Sequence, residues 1–477
     1  MATRRLAIIG NGMGTCRLLE ELVDRAAHMS YDITVYGEEA GGAYNRILLG
    51  RVLGGEAPET IVTRTPAWYE RHGIRLIDGT RVARLDTAHR MIETVDGQRR
   101  RYDIAVLATG SEPIVPPLEG LHDDTGALKR GAFAYRSAVD CLRIRAHARP
   151  GENAVVVGGG LLGLEAAKVL ADRGLRVTIV HLAATLMEAQ LDAVGGTMLR
   201  RQMERAGIRV RAGRSVTAVR GATRVTAVAL DDGTTVPADV VVLACGVRPR
   251  VEVARASGLS VGRAITVNDQ LATDVPGVYA FGECAEHRGQ TYGTVGPVWE
   301  QAAVLAGVLR GVHPVARYPG SKVYTRLKVA GVDVASMGRL EPECESDDVL
   351  QVVEERRSAY RKLIVRDGQL IGAMLVGNAG AAASLLQMFD GDIPMPGDPL
   401  EALCAVRETG AAGAGVVCHC HKVSNDAVCA AIAAGAGSVE AIGAVTRAGT
   451  GCGSCRTDLQ RLLQARPQPA PILEAVS

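Results

Sequence analysis

Four cysteines near the C-terminal end of this 477-residue chain are spaced for metal chemistry: Cys418-His419-Cys420, an interval of 31 residues, then Cys452-Gly453-Ser454-Cys455. Each doublet occupies a tight turn, so the sulfurs within a pair are brought together. Four thiolates suit either a [2Fe-2S] cluster or tetrahedral zinc, and sulfur ligands alone do not separate the two. His419 and His421 flank these ligands and are expected as exposed turn residues. The other seven of the 11 cysteines, Cys16, Cys141, Cys245, Cys284, Cys344, Cys404 and Cys429, read as small buried hydrophobes, Cys429 within a helix core. Such an odd, scattered set is not a disulfide framework and points to a cytoplasmic protein.

Phosphate binding is the second chemistry. Leu6–Ile9 reads as a strand, Gly10-Asn11-Gly12-Met13-Gly14-Thr15 as a turn, and the chain to about Ala27 as a helix followed by a strand at Ile33–Tyr36. The same unit recurs as Ala154–Val157, Gly158-Gly159-Gly160-Leu161-Leu162-Gly163, a helix to about Arg173 and a strand ending at His181. In such a unit the first glycine permits the turn, the second lets backbone approach a pyrophosphate at the helix N-terminus, and the third allows close helix–strand packing. Thr15 stands where the first copy would have its third glycine, which predicts looser packing there. Glu38, at the end of the second strand, is placed to accept hydrogen bonds from an adenosine ribose.

These sites need elements to carry them. Residues 103–113 and 238–249 each read as an apolar strand, a small-residue turn and a proline, as expected where the chain crosses between two nucleotide domains. Gly277–Glu283 is a third strand-turn. The fold class is therefore α/β, with two Rossmann-like dinucleotide-binding domains, the second inserted in the first. Strands at 322–325, 360–365 and 370–373 and a helix near 381–388 indicate a small α+β domain, and the cysteines close a compact helical module of about 50 residues. The boundaries expected are 1–112 and 238–317 for the first nucleotide domain, 113–237 for the second, 318–404 for the α+β domain, 405–415 for a linker, 416–466 for the cysteine module and 467–477 for a tail.

Composition narrows the partners. Length alone suggests about three domains, which these boundaries raise to four modules. A net charge of +2 and few aromatics (Trp 2, Tyr 11, Phe 3) leave no footprint for nucleic acid or anionic lipid. No stretch reaches the roughly 18 apolar residues of a spanning helix. The N-terminal MATRRLAII is too short an apolar run for an export signal, because it ends at Gly10.

The double glycine fingerprint, Ala108-Thr109-Gly110 and Val278-Tyr279-Ala280-Phe281-Gly282-Glu283 resemble the two-dinucleotide-fold flavoproteins of the glutathione reductase and ferredoxin reductase type, over about residues 1–315. The resemblance implies FAD at Gly10, Gly12, Met13, Gly14, Thr109, Gly110, Gly282 and Glu283, the last standing for the usual Asp. It implies NAD(P)H at Gly160, Leu161, Leu162 and Gly163, with Glu165 of the GxxGLE motif facing the nicotinamide. Ala43–Leu49 resembles the PYxRxxLS segment of monooxygenase-associated reductases and of the NADH-dependent nitrite reductase large subunit, which gives Arg46 to the FAD. Gly50-Arg51 replaces the usual Ser-Lys and leans toward the nitrite reductase branch. Residues 40–55 contain no cysteine, so disulfide reductase and Cys-dependent peroxidase activities lack their thiol. Coenzyme choice falls at His181, and the absence of arginine from 182–187 favours NADH.

The words VSxxxV, SVEAI and AGTGCGSC resemble the bacterioferritin-associated ferredoxin type of [2Fe-2S] domain, which implies a cluster held by Cys418, Cys420, Cys452 and Cys455. Together these resemblances imply an electron-transfer oxidoreductase carrying electrons from NADH through FAD to a partner reductase, as in nitrate or nitrite assimilation. An amine or amino-acid dehydrogenase subunit, a ferredoxin or rubredoxin-type reductase, and a non-catalytic zinc-binding or redox-sensing partner are the alternatives. The α+β domain of that family is often an interface, which brings in a homo-oligomer. No further cysteine cluster for a sirohaem centre occurs in the chain, so nitrite reduction by this chain alone is not expected.

Overall fold

The computed structural model describes residues 3–311, 316–329, 331–404 and 415–464. All but one residue of the expected linker, and all of the expected tail, lie outside them.

Each glycine unit builds a five-stranded parallel sheet. The first runs Val278–Ala280, Ile104–Leu107, Arg4–Ile9, Tyr31–Tyr36, Arg75–Ile77, and thus takes strands from both sides of the second unit. The second runs Ala132–Ala134, Val240–Leu243, Asn153–Val157, Arg176–His181, Arg209–Ala212. Helices cover parallel sheets, so strand interiors such as Leu6–Ile9, Ile104–Leu107 and Val240–Leu243 are buried throughout. Where the chain crosses between the two units, Ser111–Pro113 and Val247–Pro249 pair antiparallel with each other.

The α+β domain is a five-stranded antiparallel sheet in the order Tyr324–Val329, Val332–Gly338, Gln369–Val376, Ala359–Arg366, Asp347–Glu354, with the Ala382–Asp390 helix on it. Two of these strands, Val332–Gly338 and Asp347–Glu354, go beyond the sequence reading. The latter is a largely exposed edge whose acidic ends disguise its apolar alternation. Lys362, 2% exposed, ties this sheet to the second nucleotide unit: its Nζ donates to Asp192 Oδ2 at 3.1 Å, and Tyr360 donates to the same oxygen at 2.6 Å.

The cysteine module is a short hairpin, Val416–Cys418 with Val423–Ser424, followed by helices Asn425–Ala433, Val439–Thr446 and Arg456–Gln464. The serines of VSxxxV and SVEAI are helix caps: Ser424 Oγ accepts from the Ala427 amide and Ser438 Oγ from the Ala441 amide. Cys418, Val428, Ile432, Ile442 and Leu459 form its core. Cys429 is exposed rather than core, because it lies on the outer face of the first of these helices, and Cys344 is likewise exposed in a loop. Cys245 is half-buried, Cys16, Cys141 and Cys284 are buried, and the side chain of Cys404 lies outside the described residues.

Candidate functional site

The two glycine turns are built alike. Gly10 has φ +108° and Gly158 φ +119°, and a Cβ on either would drive into the carbonyl of Ala108 or Ala244 respectively. The small-residue turns at 108–110 and 244–246 are therefore the seats on which the glycine turns rest. Gly12 and Gly160, at the helix N-termini, face open space, and the first helical turn after each carries no acidic residue. The amides there and the positive end of the helix dipole suit both positions to an anion. The two turns differ at their sixth residue. A Cβ on Gly163 would overlap the Gly158 carbonyl, whereas Thr15, fully buried, turns the same approach into a hydrogen bond, its Oγ1 donating to Gly10 O at 2.6 Å. Thr15 thus fastens its turn rather than loosening it.

A single cavity of about 870 Å³ joins the first glycine turn to the rest of the site. Of the residues singled out from sequence, Gly10, Gly12, Met13, Gly14, Glu38, Arg46, Thr109, Gly110, Gly282 and Glu283 line it. So do Leu161, Leu162 and Glu165 from the second unit and Cys420 and Cys452 from the cysteine module. Gly160, Gly163, His181, Cys418 and Cys455 are not on its wall.

Arg46 sits in a half-buried polar knot. Its guanidinium pairs with Glu39 and donates to the Tyr44 hydroxyl at 2.7 Å and to the Arg136 carbonyl at 3.1 Å, while Tyr44 donates to Glu39 at 2.6 Å. Burial would raise the Glu39 carboxyl, but the Arg46 charge and the Tyr44 hydrogen bond outweigh it and the net shift is downward. Glu283 pairs with Arg136 and accepts from Ser111 Oγ at 2.5 Å. Glu38 pairs at the rim with Arg250 at 2.6 Å, and the Thr109 hydroxyl is spent on the Arg250 carbonyl at 2.7 Å. Five buried polar atoms of cavity-lining residues have no hydrogen-bond partner among the described residues: Asn11 Nδ2, Arg136 Nε, Arg250 Nε, Thr294 Oγ1 and His419 Nε2. Orphaned polar atoms around a cavity of this size, with an open helix N-terminus on its wall, fit a large polar ligand such as a flavin dinucleotide.

Glu165 lines the cavity from the second unit, and burial lifts its carboxyl to about 7. His181, 8% exposed, accepts from the Gly159 amide through Nδ1 at 3.1 Å and meets Glu188 through Nε2 at 2.9 Å. An acid therefore does stand at the end of this strand, supplied by Glu188 from the following loop. Neither Glu39, Arg136 nor Glu188 stands out in the sequence, because each gains its role from residues that only folding brings near.

The four C-terminal sulfurs are together. Cys418 Sγ is 3.6 Å from Cys420 Sγ, which is 3.5 Å from Cys452 Sγ, and Cys455 hydrogen-bonds to Cys418. The four sulfurs share protons among themselves: hydrogen bonds from Cys420 and Cys455 hold Cys418 far below the usual thiol range and one from Cys420 brings Cys452 down to about 6, while the same bonds push Cys420 and Cys455 up. Among the described residues no three His, Cys, Asp or Glu side chains close around one ion. His419 and His421 are half-buried rather than exposed. His421 stacks on Trp299 with ring centres 4.3 Å apart, because the cysteine module packs against the first nucleotide unit at this point.

The sequence profile of the pyridine nucleotide-disulphide oxidoreductases matches residues 4–304, both glycine turns included. The chain belongs to that family. Profiles of the BFD-like [2Fe-2S] binding domain and of the rubredoxin NAD+ reductase C-terminal domain match 416–465 and 324–391. This member of the pyridine nucleotide-disulphide oxidoreductase family is therefore an FAD-dependent NAD(P)H oxidoreductase that also carries a [2Fe-2S] domain. It is 37% identical over 474 residues to nitrite reductase [NAD(P)H] of Bacillus subtilis, covering 97% of this chain and 58% of that protein. It is 35% identical over 477 residues to the assimilatory nitrate reductase electron transfer subunit of the same organism, covering 97% and 60%. The chain thus spans about three-fifths of these relatives. Among solved structures, a ferredoxin reductase of Rhodopseudomonas palustris superposes with TM-score 0.74 at 25% identity, covering 84% of this chain and 97% of that one. No helix among the described residues is long and apolar enough to cross a membrane.

Proposed function

We propose that this oxidoreductase takes electrons from NADH and delivers them to a partner reductase of nitrate or nitrite assimilation in the cytoplasm. The observation that carries the reading is that Cys420 and Cys452 line the same cavity as Gly12, Arg46 and Glu165. Hydride donor, flavin and cluster then share one enclosed space.

When bound, FAD would supply hydride acceptance and the cluster one-electron transfer, chemistry that the protein orients. The residue roles follow from charge and position. The Gly12 helix N-terminus holds the FAD pyrophosphate, and Glu38 takes the adenosine ribose. The Arg46–Glu39–Tyr44 knot and the Arg136–Glu283 pair hold the flavin side of the cavity without leaving a bare buried charge. Gly160 and Gly163 shape the nicotinamide-nucleotide turn, and Leu161, Leu162 and Glu165 form the wall that the nicotinamide meets. Glu188, held by His181, accepts the ribose 2′-hydroxyl of NADH and repels the 2′-phosphate of NADPH. Cys418, Cys420, Cys452 and Cys455 hold the [2Fe-2S] cluster.

Anaerobic stopped-flow mixing of the cofactor-loaded protein with NADH tests the reading. Bleaching of the flavin band, followed by a reduced iron–sulfur signal, is the expected result. No bleaching with NADH would overturn it and leave the amine dehydrogenase alternative, which needs no nicotinamide site. Recovery of a nitrate or nitrite reductase with the protein from nitrate-grown cells tests the partner.

A further inference from the structure

A buried contact joins the cysteine loop to the first nucleotide unit. Asn45, 1% exposed, immediately precedes Arg46 and Ile47 on the cavity wall. Its Nδ2 donates to Gly451 O at 2.7 Å and to Thr450 O at 3.2 Å, across 406 and 405 residues of chain. Its Oδ1 accepts from the Ile47 amide at 3.0 Å, so the whole side-chain amide is engaged. One buried side chain thus joins the segment carrying Arg46 to the loop carrying Cys452.

A second contact lies beside it. Gly449 and Gly453 have φ of +79° and +74°, which their turns require, but Gly451 has no such conformation. Gly451 lacks a Cβ for a different reason. A Cβ there would enter the ring of Trp299 and lie 2.9 Å from Cys420 Sγ. Trp299, 7% exposed, follows cavity-lining Val298 on the Val295–Arg310 helix and stacks on His421, the residue after Cys420. Opposite charges surround the contact: Lys422 with Glu300 at 3.1 Å, and Arg447 with Glu20 and Asp24.

We propose that Asn45, Trp299 and the bare backbone of Gly451 form a latch that sets the separation between the flavin wall and the Cys420–Cys452 pair, and that the latched arrangement is the electron-transferring one. The inference rests on the flavin-to-cluster reading above. Each crossing moves one electron, lost by the flavin and gained by a cluster iron, and no bond forms or breaks. Two crossings clear the pair that NADH delivers, a one-electron acceptor protein reoxidising the cluster between them. These are positioning residues: they touch the loop, not the reacting atoms.

Asn45→Asp keeps the acceptor for Ile47 but sets a carboxylate against two carbonyl oxygens, which opens the latch without removing the turn. Gly451→Ala opens it from the other side and decides the matter if the first variant does not fold. Both are examined as full-length, cofactor-loaded protein in a Trp68→Phe background, which leaves Trp299 as the single tryptophan of the two. With either variant, NADH should bleach the flavin as in wild type, while the reduced-cluster signal by freeze-quench EPR appears on the order of tenfold more slowly. Trp299 fluorescence should become open to acrylamide quenching, in cofactor-free protein as well. A wild-type cluster rate with normal bleaching overturns the latch. So does loss of the oxidised cluster's absorbance, which would make these residues supports of the cluster itself. Absence of bleaching in the unmutated protein would instead sink the functional reading.

Discussion

Glu165 makes a sharp prediction because one physical effect governs it. It lines the cavity, makes no hydrogen bond or ion pair among the described residues, and is raised by burial from its ordinary 4.5 to about 7. That shift corresponds to roughly 3 kcal/mol of folding free energy. Below the unfolded pKa both states hold the proton and nothing is lost. As pH rises toward 7, the unfolded chain ionises while the folded protein keeps its proton, so stability declines, and above the folded pKa the full cost is present. Glu165→Gln is a neutral near-isostere that escapes this cost. Its stability advantage over wild type should therefore grow by about 2 kcal/mol between about pH 5.5 and about pH 8.5. Urea unfolding of both proteins at the two pH values, with matched cofactor content, measures the difference. An advantage that does not grow with pH would refute the burial argument. The same titration should give NADH-driven flavin reduction a pH dependence near neutrality that Glu165→Gln lacks.

Three further outcomes follow from the site. Cys455→Ser should abolish the iron–sulfur absorbance and transfer to one-electron protein acceptors while leaving NADH-to-flavin reduction intact; loss of both would refute the modular path. Glu188→Gln should narrow the NADH over NADPH preference by about 1–2 kcal/mol, or roughly 5–30-fold, as read from the ratio of Kd values; an unchanged ratio would remove Glu188 from coenzyme choice. Thr15→Val keeps the shape but strips the hydrogen bond to Gly10 O, which should cost about 1–3 kcal/mol in urea unfolding and weaken FAD retention. Full stability in that variant would return Thr15 to a passive packing role.

The local units were legible from residue order alone. A strand, a glycine turn and a helix occupy adjacent residues, so steric rules on glycine and apolar periodicity make both copies visible, and the cysteine spacing displays the cluster module in the same way. The serine caps Ser424 and Ser438 belong to this class, each bonding an amide three residues on. What lies between the units was not legible, since those contacts join positions with no local pattern. Arg136 meets Glu283 across 147 residues, and Asn45 reaches the Gly451 carbonyl across 406. Cys429 and Cys344 escaped for the opposite reason: a cysteine's small apolar character says that it can be buried, while only packing says whether a neighbour covers it. Ligand types and turns follow from bonded geometry within a few residues. The cavity that brings Cys420 and Cys452 to the wall shared by Gly12 and Glu165 follows from how separately folded units bury their remaining surface against one another, and only the tertiary structure decides that.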